Sequence, residues 1–106
     1  MTLRDVIEAA VMQFGLDPQA ATADDGSVTW SRGNEAFAAV SADGASAFFL
    51  LDPLVAGAAA RTPDVRLSSR GRGWVELSPQ VVDGHAADRA GAWFLSAFRR
   101  LTGPRA

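Results

Sequence analysis

The sequence contains no cysteine, no lysine and no tyrosine, and its only histidine is His85. The absence of cysteine excludes disulfides and thiolate metal ligands. One histidine and carboxylates scattered over predicted loops do not compose a ligand set for zinc or iron. We therefore expect neither a bound metal nor a cofactor, and a fold that rests on an ordinary hydrophobic core.

Long apolar runs are also missing. The longest, such as residues 47–51, are far too short to cross a bilayer. The first residues lack the basic and apolar regions of a signal peptide, so we expect a cytoplasmic location and no membrane partner. A length of 106 residues with 48% hydrophobic and 21% charged residues is typical of one soluble domain spanning residues 1–106. We expect that domain to be a monomer.

Charge is distributed unevenly along the chain. The net charge of −2 argues against a protein that coats nucleic acid through overall basicity. Residues 1–53 hold two arginines and eight carboxylates, whereas residues 54–106 hold eight arginines and four carboxylates. All ten basic side chains are arginine, which indicates either planar recognition of phosphates and carboxylates or a general compositional habit.

Three helices are predicted from apolar spacing and capping signals. Residues 2–14 show amphipathic spacing between a capping Thr2 and a terminating Gly15. Asp52 followed by proline begins a short helix over residues 54–60. The last helix begins near Asp83 and has a stripe of apolar residues on one side: Ala86, Ala90, Trp93, Phe94, Ala97, Phe98 and Leu101.

Between the helices the apolar residues alternate. Residues 28–41 predict a hairpin whose turn contains Gly33, and residues 45–51 a buried third strand after the turn at Gly44. Residues 19–27 look like a polar surface loop. Residues 65–68 and 74–77 predict a fourth strand, or a fourth and a fifth. The order α-β-β-β-α-β(-β)-α defines an α+β fold, a two-layer sandwich of helices on an antiparallel sheet.

The most chemically distinctive stretch is "SSRGRGWVELSP", residues 68–79. It is either a basic loop that binds phosphate or a flexible, glycine-containing turn that leads into a buried strand. Alternation along the strand places Trp74 on one face of the sheet and Val75 and Leu77 on the other. Trp74 therefore faces either solvent, beside Arg70 and Arg72, or a helix on the second face of the sheet.

Four motifs together resemble the MmcQ/YjbR family: "TWSRGNEAFAAVS", "LLDPLVAGAAA", "RGRGWVEL" and "DRAGAWFLSAFRRL". The most specific part is Gly73-Trp74-Val75-Glu76-Leu77. The resemblance covers most of the chain. It implies a compact α/β fold similar to that of frataxin, of the kind found in small bacterial cytoplasmic proteins, and DNA binding by a proposed double wing of sheet and loops. The family's usual lysine after the third strand is missing from Leu51-Asp52-Pro53.

Nucleic-acid binding is the first function that these residues indicate. Arg66, Arg70 and Arg72 would form one basic edge, with Arg61 nearby and Arg32 at the tip of the first hairpin. Five phosphate contacts would give a salt slope near −4.5, at ~0.9 per phosphate. The alternative is a solvated turn whose arginines serve solubility.

Two further functions stay open. An exposed Trp74 would form the centre of a surface for a protein or small ligand, without any catalysis. Hydrolysis is the least favoured function. It would need His85 as base with Asp88 three residues later, a spacing that brings two side chains together on one helix face.

Overall fold

A computed structural model describes residues 2–101, which form three helices and six strands. The elements are α1 (Leu3–Gln13), β1 (Gln19–Thr22), β2 (Val28–Arg32), β3 (Glu35–Val40), β4 (Ala47–Leu50), α2 (Pro53–Ala59), β5 (Val65–Leu67), β6 (Trp74–Leu77) and α3 (Gly84–Arg100). The predicted α+β class and order of elements are confirmed, with one additional strand, β1, and with β5 and β6 as separate strands.

The six strands form one antiparallel sheet in the order β1-β2-β3-β4-β6-β5. Strands β1 to β4 are consecutive neighbours, and β6 then pairs with β4 while β5 takes the edge. All three helices contribute to the same cluster of buried apolar residues as the sheet. Within residues 2–101 the helices therefore form one layer and the sheet forms the other.

Each helix begins at the side chain that the sequence predicts. The Thr2 hydroxyl accepts a bond from the Asp5 amide, and the Asp5 carboxylate accepts one from the Thr2 amide, which completes a capping box. Asp52 accepts from the Leu54 amide at 3.0 Å, and Asp83 accepts from the Ala86 amide at 2.9 Å. These bonds satisfy amides that have no partner inside the helix.

Aromatic rings fill the core between α3 and the sheet. Phe94 of α3 lies 5.9 Å from the ring of Trp30 and 5.2 Å from that of Phe37, and both strand residues are buried. Trp93, on the next position of α3, packs edge-on against Phe49. The predicted core positions of Trp30 and Trp93 are thus confirmed, although Trp93 keeps part of its surface exposed.

The prediction of a loop over residues 19–27 is wrong for its first part. Gln19–Thr22 pairs with β2 as an edge strand, and all four of its residues are exposed. A strand without buried side chains lacks the apolar alternation by which a half-buried strand is recognised. Its backbone pairing to β2 makes it a strand, and nothing in its composition indicates that pairing.

A close approach of the backbone occurs where β6 begins. The Gly73 carbonyl accepts a hydrogen bond of 2.8 Å from the Leu51 amide, and Gly73 has a φ of +85°. A Cβ atom at this position would lie 2.6 Å from the Leu51 carbonyl oxygen. Only glycine fits here, because the contact is with backbone that cannot rotate away.

We expect Gly73→Ala to destabilise the protein by about 3 kcal/mol or more, because backbone strain and a backbone collision act together. The matched control is Gly33→Ala, which also has a positive φ, +61°, but has no atom within 4 Å of the added Cβ. The control should lose only about 1 kcal/mol. Urea denaturation measures both, and equal losses would contradict the collision.

Candidate functional site

One face of the sheet is left uncovered by the helices. Its side chains form a row across the strands: Ala21, Thr29, Ala39, Phe48, Glu76 and Arg66. Ala39, in the middle of the row, is fully buried, and the other five are half-buried or exposed. Leu50 and Trp74 form the next pair along β4 and β6. We call this surface the open face. Within residues 2–101, no helix packs on it.

Trp74 lies on the open face, as strand alternation predicts. Val75 and Leu77 are fully buried on the helix side, whereas Trp74 and Phe48 are half-buried. Because no second helical layer covers this face within the described residues, Trp74 is not a wedge under a helix. Of the two positions that the sequence left open, the side facing away from the helices is found, and Trp74 is half-buried there.

The loop between β5 and β6 is held at both ends. The Ser68 amide donates to the Trp74 carbonyl, and the Trp74 amide donates to the Gly71 carbonyl. The Arg70 amide donates to the Ser68 hydroxyl at 3.1 Å. Gly71 adopts a φ of +147°, which residues with a side chain rarely tolerate. The loop is therefore a defined turn that returns the chain to the sheet.

This turn places Arg70 over two aromatic rings of the open face. The Arg70 guanidinium carbon lies 4.3 Å from the centre of the Phe48 ring and 5.6 Å from that of Trp74. Both distances are within the range of cation–π attraction. Arg70 itself is exposed, and Phe48 and Trp74 are half-buried. The guanidinium therefore covers two aromatic rings that remain partly accessible to solvent.

Arg66 also lies on the open face, but it is already paired. Its guanidinium contacts the Glu76 carboxylate at 3.1 Å through both Nε and Nη2. The Ser78 hydroxyl donates to the other carboxylate oxygen and is bonded in turn to Ser46. The Glu76 side chain is only 15% exposed, against 76% for Arg66.

The pairing changes the acidity of Glu76. Partial burial raises the pKa of Glu76, but hydrogen bonds from Arg66 and Ser78 and the Arg66 charge together lower it by more. The pKa therefore lies below its ordinary value of 4.5. Much of the positive charge of Arg66 is consequently balanced by a carboxylate that stays ionised at neutral pH.

The structure brings together only part of the predicted basic edge. Arg72 is exposed on the same turn as Arg70 and has no hydrogen-bond or ion-pair partner within residues 2–101. Arg61 is exposed and follows the C-cap residue Ala60, so it lies at the end of α2 and not on the turn that carries Arg70. Arg32 lies at the hairpin tip as predicted, but its guanidinium covers the Phe98 ring of α3 at 4.5 Å, on the far side of the sheet.

The predicted meeting of His85 and Asp88 does not occur. Asp88 lines a groove between α1 and α3, whereas His85 lines a different depression beside Asp64 and Arg89. At the start of α3 the three-residue spacing turns the two side chains towards different neighbours. Among residues 2–101, no three histidine or carboxylate side chains lie close enough together to hold a metal ion.

Two members of the open face, Phe48 and Glu76, are not among the residues that the sequence singles out. Phe48 belongs to a continuous apolar segment, and Glu76 is one polar residue of the short strand β6. Alternation between the buried Ala47 and Phe49 places Phe48 on the other face, so the signal was present. Its pairing with Glu76 depends on strand order, which local pattern does not give.

The fold and the site define a two-layer α+β protein with an aromatic and arginine-bearing sheet face. Comparison with protein families, with curated protein sequences and with solved structures found no match. No helix within residues 2–101 has the length and apolar character needed to cross a bilayer.

We expect Arg66→Met to raise the pKa of Glu76, because the burial remains after the guanidinium is removed. In the unchanged protein, the lowered pKa stabilises the folded state above pH 4.5, and this stabilisation is lost as the pH falls below that value. Carbon-detected NMR titration of the Glu76 carboxyl measures the shift. Arg72→Met is the matched control and should leave the titration unchanged; an equal shift in both variants would contradict the pairing.

Proposed function

We propose that this protein is a non-enzymatic binding module whose open face binds nucleic acid. The observation that carries the proposal is the Arg70 guanidinium lying over Phe48 and beside Trp74 on an uncovered sheet. Arginine planes and aromatic rings are the groups on which proteins stack bases, and the guanidinium also attracts phosphate. The resemblance to the MmcQ/YjbR family and its DNA-binding label points the same way and stays a prediction, as do a monomeric state and a cytoplasmic location.

The geometry favours a single strand over a duplex. Phe48 faces Glu76 across the β4–β6 pair, so Trp74, two residues along β6, is its diagonal neighbour at about 7–8 Å. When a bound phosphate draws the Arg70 guanidinium off the two aromatic rings, each ring can stack one unpaired base. In a duplex the faces of the bases are covered by their neighbours, and the rings would have nothing to stack on.

The charges of the open face support a modest electrostatic contribution. Arg70 and Arg72 are the two arginines of this surface that no carboxylate balances within the described residues, since Arg66 is held by Glu76. At about 0.7 released counterions per phosphate on a single strand, two contacts give a salt slope near −1.4. This value replaces the slope of −4.5 that five converging arginines would give.

We expect a labelled single strand to bind with a salt slope close to that of two contacts, and more tightly than a duplex of the same length. Arg70→Ala/Arg72→Ala should flatten the slope and weaken binding at low salt. Trp74→Leu should weaken binding by about 5- to 150-fold, or 1–3 kcal/mol for one stacked base. Fluorescence anisotropy at several salt concentrations measures both effects.

The control is Arg32→Ala, which removes one arginine from the opposite side of the sheet and should leave binding and slope unchanged. The absence of wild-type binding at low salt would overturn the proposal. Unchanged binding in the double variant would do the same. A duplex preference would contradict base stacking while leaving phosphate contacts in place.

A second candidate function uses the same surface for a protein or small ligand. The observation that favours it is the apolar continuity of Phe48, Leu50 and Trp74, in which two rings are already covered by Arg70. A ligand that displaces Arg70 would bury these side chains, and hydrophobic burial is little affected by salt.

This candidate predicts affinity that depends on Trp74 and varies little between low and moderate salt. Small aromatic compounds can be screened by their quenching of tryptophan fluorescence. The affinity at Trp74 is measured as the quenching that is present in the unchanged protein and absent in Trp74→Leu. Ligands whose quenching persists in that variant would bind elsewhere, near Trp30 or Trp93, and would count against a Trp74-centred surface.

A further inference from the structure

A groove of about 430 Å³ runs along the outer surface of the helix layer, between α1 and α3. Small side chains create it: the residues between the helices include Ala9, Ala87, Gly91 and Ala92. The helices approach each other closely at its floor, where a Cβ on Gly91 would lie 3.9 Å from that of Ala10. Its volume lies within the range of small-ligand pockets.

The two helices run in the same direction. α1 begins beside the β3–β4 turn, since the Leu3 amide donates to the Gly44 carbonyl. α3 begins after β6, at the end of the sheet where Ser78 is bonded to Ser46 of that same turn. Near its C-terminal end, α3 places Phe98 under Arg32 at the opposite end of the sheet. Strand β1, which follows α1, starts at that same opposite end.

Because the helices are parallel, one end of the groove carries two carboxylates, and the other is lined by Phe14, Leu95 and the polar Gln13. Asp5 and Asp88 both lie on the N-terminal side of the Ala10–Gly91 contact. Phe14 and Leu95 both lie four residues beyond that contact. From Asp5 to Phe14 the distance along the helix is about 13 Å, at 1.5 Å per residue.

The Asp5 carboxylate accepts a hydrogen bond from the Thr2 amide and is near enough to Arg4 for the arginine charge to help lower its pKa. The Asp88 carboxylate has no hydrogen-bond or ion-pair partner within residues 2–101. The Arg4 guanidinium is paired with Glu8 at 3.6 Å. The Arg89 guanidinium donates to the Thr62 hydroxyl and the Pro63 carbonyl, both at 2.8 Å, and so points away. Within the described residues, no arginine or histidine lines the groove.

We propose that the groove between α1 and α3 binds a linear amphiphilic amine, with its ammonium group at the Asp5 and Asp88 end and its alkyl chain towards Phe14 and Leu95. Charge complementarity selects the head group, and the apolar lining accommodates the tail. The length of the groove suits a chain of roughly eight carbons. This site is separate from the open face and does not rest on the function proposed for it.

The probe is n-octylammonium, titrated below its critical micelle concentration into isotope-labelled protein and followed by amide NMR shifts. Octanol and octanoate carry the same tail with a neutral and a negative head. We expect shifts confined to the groove, at Ala9, Gly91 and Ala92, and affinity in the order ammonium, alcohol, carboxylate. Asp88→Asn should reduce the preference for ammonium over alcohol by about two- to fivefold, the effect of one partly exposed ion pair.

Ala92→Leu should fill the groove and remove binding of all three compounds. Its matched control, Ala58→Leu, changes an exposed alanine of α2 outside the groove and should leave binding intact. Equal affinity for octanol and octylammonium would overturn the proposal, as would shifts that map to the open face. Saturable binding of a basic helical peptide without any binding of octylammonium would overturn it as well.

Discussion

The approach of Gly73 to Leu51 sets the geometry on which the candidate site depends. The hydrogen bond from the Leu51 amide to the Gly73 carbonyl continues the pairing of β4 with β6 by one step. That pairing fixes which side chains of β6 face those of β4. It places Trp74 opposite Leu50, and the turn that precedes it returns Arg70 over the same two strands. A side chain at position 73 would push the strands apart at this point.

The four residues of β6 serve both layers of the protein. Val75 and Leu77 are fully buried against the helices, while Trp74 and Glu76 face the other way. The period of two along a strand makes this division unavoidable once one pair is buried. Burial of Val75 and Leu77 in the core therefore fixes which residues of β6 face the site. A shift of the strand register by one residue would bury Glu76 and expose these two apolar side chains.

Local signals in the sequence were sufficient for most of the fold. Capping residues and alternating strands act over a few residues, so Thr2, Asp52 and Asp83 begin helices where expected. The site was less predictable, since it depends on strand order and on side-chain direction at loop ends. Arg32 and Arg70 are both beside glycine turns at one end of the sheet, yet one guanidinium lies over Phe98 and the other over Phe48.

The charge is distributed unevenly between the two layers, so the net charge does not describe the electrostatics of either surface. Unbalanced arginines lie on the turn beside the open face, whereas Asp5 and Asp88 lie on the outer side of the helices. The sheet and its core separate these groups, and solvent screens exposed charges over about a Debye length. An anionic ligand at the open face therefore experiences mainly Arg70 and Arg72. A protein with a net charge of −2 can thus present a basic surface on one layer and an acidic groove on the other.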